Sequence, residues 1–297
     1  MKIQTAITEF IIECEIRKYS QRTVVTYRNN LGIFQRFCES EANAEKVNDI
    51  TPLVIKQFTQ QLIKNGRKGT YINNHLKIIK SFLQYCYDES YTEFNPRKNF
   101  KWCKEEKPVI KAFTEKDVRN IMARCKGNDY LSIRDAAMLT LLFETGIRCL
   151  ELCSIKPSDI HDDFIVINGK NHKQRVVPVT PILKKALMRY DRAKESYFAY
   201  KSVENYYFLS FSGRMLTNSA IRQMIKAKGE GITDVRVSPH TCRHLFTQQQ
   251  LKMGTDLYSI SRLLGHENIR ITQTYLNSLR DEDIIRIAKQ NSVLMNL

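Results

Sequence analysis

Apolar residues return at intervals of three and four along most of this chain, and they give way to β-rich runs in only one place. Val24, Tyr27, Leu31, Phe34 and Cys38 make one stripe, the spacing that gathers side chains on one face of a helix. In DITPLVIKQFTQQLIKNG, Thr51 can cap a second helix and Pro52 suits its first position; Ile55, Phe58 and Leu62 form its buried face before Gly66 ends it. A third helix opens at Thr70 and carries Ile72, Leu76, Ile79, Leu83 and Cys86. Further on, Thr114 stands three residues before Asp117 and caps a new helix. The apolar run 132–143 reads as a buried helix, and others are expected near 181–199, 216–227, 239–253, 256–264, 268–276 and 281–291. The exception is a pair of β-rich runs, FIVING and QRVVPV, flanking the turn Gly169-Lys170-Asn171-His172. The expected fold is mainly α with one small β-hairpin.

A chain of 297 residues suits two domains. Residues 95–112, NPRKNFKWCKEEKPVIKA, hold two prolines and a basic excess without a period, and read as a linker. This places a helical domain at 1–107 and an α+β domain at 108–297. No apolar run is long enough to span a bilayer, and the N-terminal segment lacks the cleavage site of a signal peptide, so a cytoplasmic location is expected. The eight cysteines form no Cys-x-x-Cys pair and read as buried free thiols.

Charge gives the first functional indication. Lys and Arg number 47 against 31 Asp and Glu, a net +16, and both sides of residue 110 are basic. An extended polyanion touching both domains accounts for this distribution. On the polar faces of the first domain, Arg22, Arg28, Lys68, Lys77 and Lys80 are candidate phosphate contacts, as are Lys173 and Arg175 beside the hairpin turn. A membrane-surface role would need a Lys-rich amphipathic helix, which the sequence lacks.

Three segments of the second domain carry chemistry. In SPHTCRH, Ser238 and Pro239 start a helix whose first turns hold His240 and Arg243 on one face. Helix N-termini favour anions, and an imidazole with a guanidinium strengthens such a seat. In ETGIRCLEL, Arg148 sits among Ile147, Leu150 and Leu152 and needs a partner or a ligand; Glu151 can be that partner. In LLGHENIRITQTYL, Gly265 ends a helix, His266 begins a turn, and Tyr275 follows nine residues later. No acidic cluster or His-rich spacing supports a divalent ion. His240 and His244 stand four apart, but no Glu lies between them as in zinc proteases. Without a metal, the growing charge of a phosphoryl-transfer transition state must be offset by fixed cations and donors.

Arg148 in TGIRCLEL, Lys170 in GKNHKQRVVPV, His240 and Arg243 in PHTCRH, His266 in LLGH and Tyr275 in TQTYL match in order and spacing the motifs of the tyrosine recombinase, or phage integrase, family, which this chain resembles along its whole length. SQRTVVTYRNNLGIFQRF resembles the family's core-binding domain less specifically. Cys149-Leu150 and Cys242 depart from the family pattern, but they stay uncharged and bear on packing rather than chemistry. The resemblance implies a site-specific recombinase that cuts and rejoins DNA through a 3′-phosphotyrosyl bond, without a cofactor or metal, for integration and excision of a mobile element or for resolution. It implies Tyr275 as nucleophile, Arg148 and Arg243 on the non-bridging oxygens, His266 as donor to the phosphate, Lys170 as general acid, His240 as base for Tyr275, and Glu151 as a residue orienting the cluster. It further implies a homotetramer on two double-stranded sites, with a C-terminal tail docking on a neighbouring protomer. A type IB topoisomerase would use the same residues without partner sites. A non-catalytic DNA-binding factor would explain the charge but not the complete set.

Overall fold

The computed structural model describes residues 1–97, 100–105, 110–169, 173–279 and 281–290. The chain forms two compact units, Met1–Pro108 and Val109–Leu297.

The first unit is a four-helix assembly: α1 (Ile3–Ile16), α2 (Gln21–Ser40), α3 (Pro52–Lys64) and α4 (Gly69–Asp88). The expected stripes are its core: Leu31, Phe34, Phe58, Leu76, Ile79 and Leu83 are all buried. Thr51 Oγ1 accepts the Val54 N–H and Pro52 occupies the first turn of α3. The α1 helix went unread in the sequence, although Ile3, Ile7, Phe10 and Cys14 are buried at helical spacing. Part of the expected linker is pinned down. The Asn73 side chain donates to the Cys103 carbonyl and accepts the Cys103 N–H, each at 2.9 Å, which holds residues 100–105 on α4.

The second unit holds α5 (Glu115–Ala123), α6 (Tyr130–Thr145), α7 (Cys149–Ser154), the strands β1 (Phe164–Asn168) and β2 (Gln174–Pro178), then α8 (Pro181–Phe198), α9 (Asn218–Gly229), α10 (Pro239–Lys252), α11 (Leu257–Leu264), α12 (Arg270–Gln273) and α13 (Asp281–Gln290). The Thr114 hydroxyl and Asp117 carboxylate cap α5 reciprocally, as expected. Buried almost all round, α6 packs on α8 and α10. The strands pair antiparallel with Ile167 opposite Arg175 and Asn168 opposite Gln174, and Ile165, Ile167 and Val177 face the core. The segment 268–276, expected as one helix, is broken. After the short α12 the chain tightens to a 3-10 turn at Leu276–Ser278. The aromatic ring of Tyr275 is thereby turned inward, into a cluster with Phe246, Leu251, Ile260 and Leu264. All eight cysteines are free, and seven are buried. No helix among the described residues is long and apolar enough to cross a membrane.

Candidate active site

Two left-handed glycines build the frame. Gly146 (φ +60°) ends α6 and Gly265 (φ +63°) ends α11; both conformations suit glycine as a helix terminator. Their surroundings leave no room for a side chain, since a Cβ on Gly146 would lie 2.7 Å from the Phe246 ring and one on Gly265 3.0 Å from the Arg175 guanidinium. The carbonyls exposed by these turns hold the two arginines. Arg243 donates to the Gly146 and Leu264 carbonyls, both at 2.8 Å, and Arg148 donates to the Gly265 carbonyl at 3.1 Å. The ends of α6 and α11 thus orient both guanidiniums.

Glu151 is the acidic centre of the cluster and only 5% exposed. Its Oε1 accepts from Arg148 Nη1 and Arg175 Nη1, both at 2.9 Å, and its Oε2 from the Arg148 backbone N–H and Arg175 Nη2, both at 2.7 Å. Burial opposes its ionisation, but the bonds and charge of Arg175, with those of Arg148, outweigh that and hold its pKa below the usual value. Arg175 was expected on DNA; instead it is built into the protein. Its Nε donates to the Leu263 carbonyl at 2.6 Å, its other bonds grip Glu151, and its side chain is 11% exposed. The sequence held a signal for this: with period-two alternation, Arg175 shares a strand face with the buried Val177.

Three guanidiniums therefore surround one carboxylate, which leaves an uncompensated positive charge. Arg243 is 5% exposed and has no carboxylate bonded to it among the described residues; burial, reinforced by Arg148, lowers its pKa to about 10. His266 bonds Thr272 Oγ1 through Nδ1 at 2.8 Å. Burial, together with Arg243, Arg148 and Arg175, pushes it down to about 4. His240, at the exposed start of α10, is lowered by desolvation and by Arg243, Arg222, Arg148 and Arg236. Such a field attracts an anion and penalises a second proton on either imidazole.

Tyr275 is 4% exposed. Its hydroxyl lies 2.6 Å from Nδ1 of His244, one turn along α10 from His240. The imidazole hydrogen-bonded to the phenol is thus His244, whereas His240 was expected as its base. Burial raises the phenol pKa, while the Arg243 charge and the Thr247 hydroxyl draw it back. Lys170 and the rest of the hairpin turn, residues 170–172, lie outside the described residues. Lys173 is exposed and paired with Glu267 at 2.9 Å. In the first unit Arg22, Arg28, Lys68 and Lys77 are exposed, Arg28 lying 3.5 Å from Glu15, while the ammonium of Lys80 lies 5.8 Å from the Trp102 ring centre. Among the described residues no group of His, Cys, Asp and Glu is placed to hold a metal ion.

Guanidiniums and imidazoles gathered next to a buried tyrosine, in a helical unit with one hairpin, can hold a phosphodiester beside a nucleophile, the chemistry of strand transfer. The comparisons with known proteins agree. The phage integrase family model matches residues 111–282, and that of the phage integrase N-terminal SAM-like domain matches residues 7–90. The tyrosine recombinase XerC of Thermodesulfovibrio yellowstonii is 30% identical over 280 residues, which cover 92% of this chain and 91% of that protein. Among solved structures, a lambda integrase (75–356) dimer bound to a COC′ core site shares the fold with a TM-score of 0.75 at 16% identity, over 93% of this chain and 95% of that one. A lambda integrase tetramer bound to a Holliday junction does so with a TM-score of 0.73 at 16% identity, over 95% and 78%. The chain belongs to the phage integrase family of tyrosine recombinases, enzymes that cleave and rejoin DNA strands in site-specific recombination.

Proposed function

We propose that this chain recombines DNA at a specific duplex site through a covalent bond between Tyr275 and a 3′-phosphate. The observation that carries this reading is the charge imbalance around Glu151: Arg148, Arg175 and Arg243 against one carboxylate. Two of these cations retain N–H groups for the non-bridging oxygens of a phosphate, where charge grows as the phenol oxygen attacks. In this reading the Thr272 hydroxyl, 2.8 Å from Nδ1 of His266, donates to it, so that the ring carries its proton on Nε2 and gives a hydrogen bond to the same phosphate. His240 completes the rim of the seat. Lys170 supplies a proton to the departing 5′-oxygen. The covalent phosphodiester keeps the bond energy, so rejoining needs no nucleotide.

The exposed cations of the first unit, with Lys173, are the proposed backbone contacts on DNA, and such contacts position the protein rather than read sequence. The acting species is a homotetramer on two synapsed sites, in the cytoplasm, serving integration and excision of a mobile element or resolution. In α13, Arg286 donates to the Lys252 carbonyl at 2.7 Å and Ile287 faces Gly254, which ties the helix to α10 of its own chain, while Ile284 and Ile285 stay exposed. These two isoleucines are the proposed contact with a neighbouring protomer; truncation before residue 284 is expected to abolish synapsis, and unchanged recombination would reject that role.

The test of the whole reading uses a duplex selected from a random pool by binding to the chain and then nicked at successive positions. Wild type is expected to form a covalent protein–DNA adduct and Tyr275→Phe none, with binding retained. A Tyr275→Phe protein that still forms the adduct overturns the assignment. A supercoiled plasmid without the selected site should stay largely unrelaxed, in contrast to the action of a topoisomerase.

A further inference from the structure

Of the imidazoles near the anion seat, one has no part in the mechanism above. His244 stands one residue beyond Arg243 on α10, half-buried, with its ring centre 5.5 Å from that of Tyr275 and its Nδ1 2.6 Å from the phenol oxygen.

We propose that His244 is the proton acceptor for Tyr275, holding the phenol in its own subunit and taking its proton as the phenol oxygen bonds to phosphorus. The proposal rests on Tyr275 being the nucleophile. In the step, the Tyr275 O–H bond breaks and its proton passes to Nδ1 of His244. The freed lone pair forms the O–P bond, the P–O5′ bond breaks, and the 5′-oxygen departs with a proton from Lys170. No oxidant or further reactant enters. On rejoining, the 5′-hydroxyl attacks phosphorus and the imidazolium returns its proton to the phenolate.

Three features favour His244 in this role. Contact is direct, within the reach required of a general base. The ring is held neutral, because desolvation with the charges of His240 and Arg243 lowers its pKa, while burial keeps the phenol protonated. The role requires the short bond to run from the Tyr275 hydroxyl to an unprotonated Nδ1, with the ring proton on Nε2, the tautomer that the spectra below read out. Third, the support is rigid: Thr247, on the next turn of α10, donates to the Arg243 carbonyl at 2.8 Å and lies at the phenol as well. Of the elements packed on α10, α6 bears Arg134, Asp135 and Glu144, α11 bears Arg262, and α13 bears five charged residues; the charges acting on His244 are those of His240 and Arg243 on its own helix.

Two measurements on the full chain decide the matter. In spectra of the ¹⁵N-histidine-labelled protein, His244 should carry its proton on Nε2, and its Nδ1 signal should move in Tyr275→Phe. In single-turnover adduct formation on the nicked duplex, the wild-type rate should fall on the acid side as His244 protonates. His244→Leu should lose about 100-fold or more. His244→Asn, which can place an acceptor oxygen where Nδ1 lies, should keep the fold and the buried tyrosine yet stay slow and lose the acid limb; His240→Asn should be slower but keep that limb. A His244→Asn enzyme with the wild-type rate and acid limb, or a His244 ring protonated on Nδ1 in the resting protein, overturns the proposal and leaves Tyr275 as nucleophile. A wild-type chain that forms no adduct overturns both.

Discussion

The Arg175 guanidinium meets the Glu151 carboxylate edge to edge, through bonds of 2.9 and 2.7 Å, and so ties β2 to the first turn of α7. The contact is nearly closed to water, and Arg148 shares the same two oxygens. Replacing the carboxylate by an amide keeps the shape and removes the charge that compensates three cations. Glu151→Gln should lose about 3–5 kcal/mol, the scale for breaking a buried ion pair on one side. Urea unfolding at neutral pH reads this directly; a loss under about 1 kcal/mol would show that solvent screens the cluster.

His266 makes stability depend on pH. Its folded pKa, about 4, lies below the 6.5 of the free imidazole, so the unfolded chain binds the extra proton first. The stabilisation is complete above pH 6.5 and drains away between 6.5 and about 4, by at most about 3 kcal/mol. Glu151 adds a separate loss only below its ordinary 4.5. Denaturation midpoints of wild type and His266→Asn at pH 7 and pH 5 should show the larger acid loss in wild type. Inorganic phosphate, by filling the seat, should reduce it. Equal slopes for the two proteins would remove His266 from the account.

Gly265→Ala should harm the site beyond its backbone strain. A left-handed alanine costs about 1–2 kcal/mol, and here the methyl would also press on Arg175 at 3.0–3.2 Å. Gly66 is a built-in control, with a similar φ of +69° and nothing within 4 Å. Denaturant midpoints should drop further for Gly265→Ala than for Gly66→Ala, and only the former should slow adduct formation. Equal drops with unaltered cleavage would mean that Arg175 yields without consequence.

Strand cleavage should proceed in EDTA. Four N–H groups already occupy the Glu151 oxygens, so the carboxylate has no lone pair to spare for a metal ion. Cleavage that stops with chelator and returns with magnesium would refute a site run on guanidinium charge alone.

Much of this was legible in the sequence because it is local. The stripe from Val24 to Cys38 became α2, Thr51-Pro52 began α3, and the Thr114–Asp117 box began α5, each depending on neighbours within a few residues. The β-hairpin followed from two β-rich runs close together in the chain. What escaped was decided at long range. The break after α12 serves to bury Tyr275 among residues of α10 and α11, up to 29 positions earlier. Arg175 reads as a surface cation until Glu151, 24 residues away, is seen beneath it. His244 follows the same logic, for its partner is 31 residues distant.

The acceptors that aim Arg148 and Arg243 are main-chain oxygens at the ends of α6 and α11. A side-chain substitution cannot delete a carbonyl, so the aim of these cations tolerates sequence drift nearby. It does not tolerate sliding. A shift of α11 past α6 would lengthen bonds to both guanidiniums together, so their aim depends on the spacing of two helices rather than on any one residue.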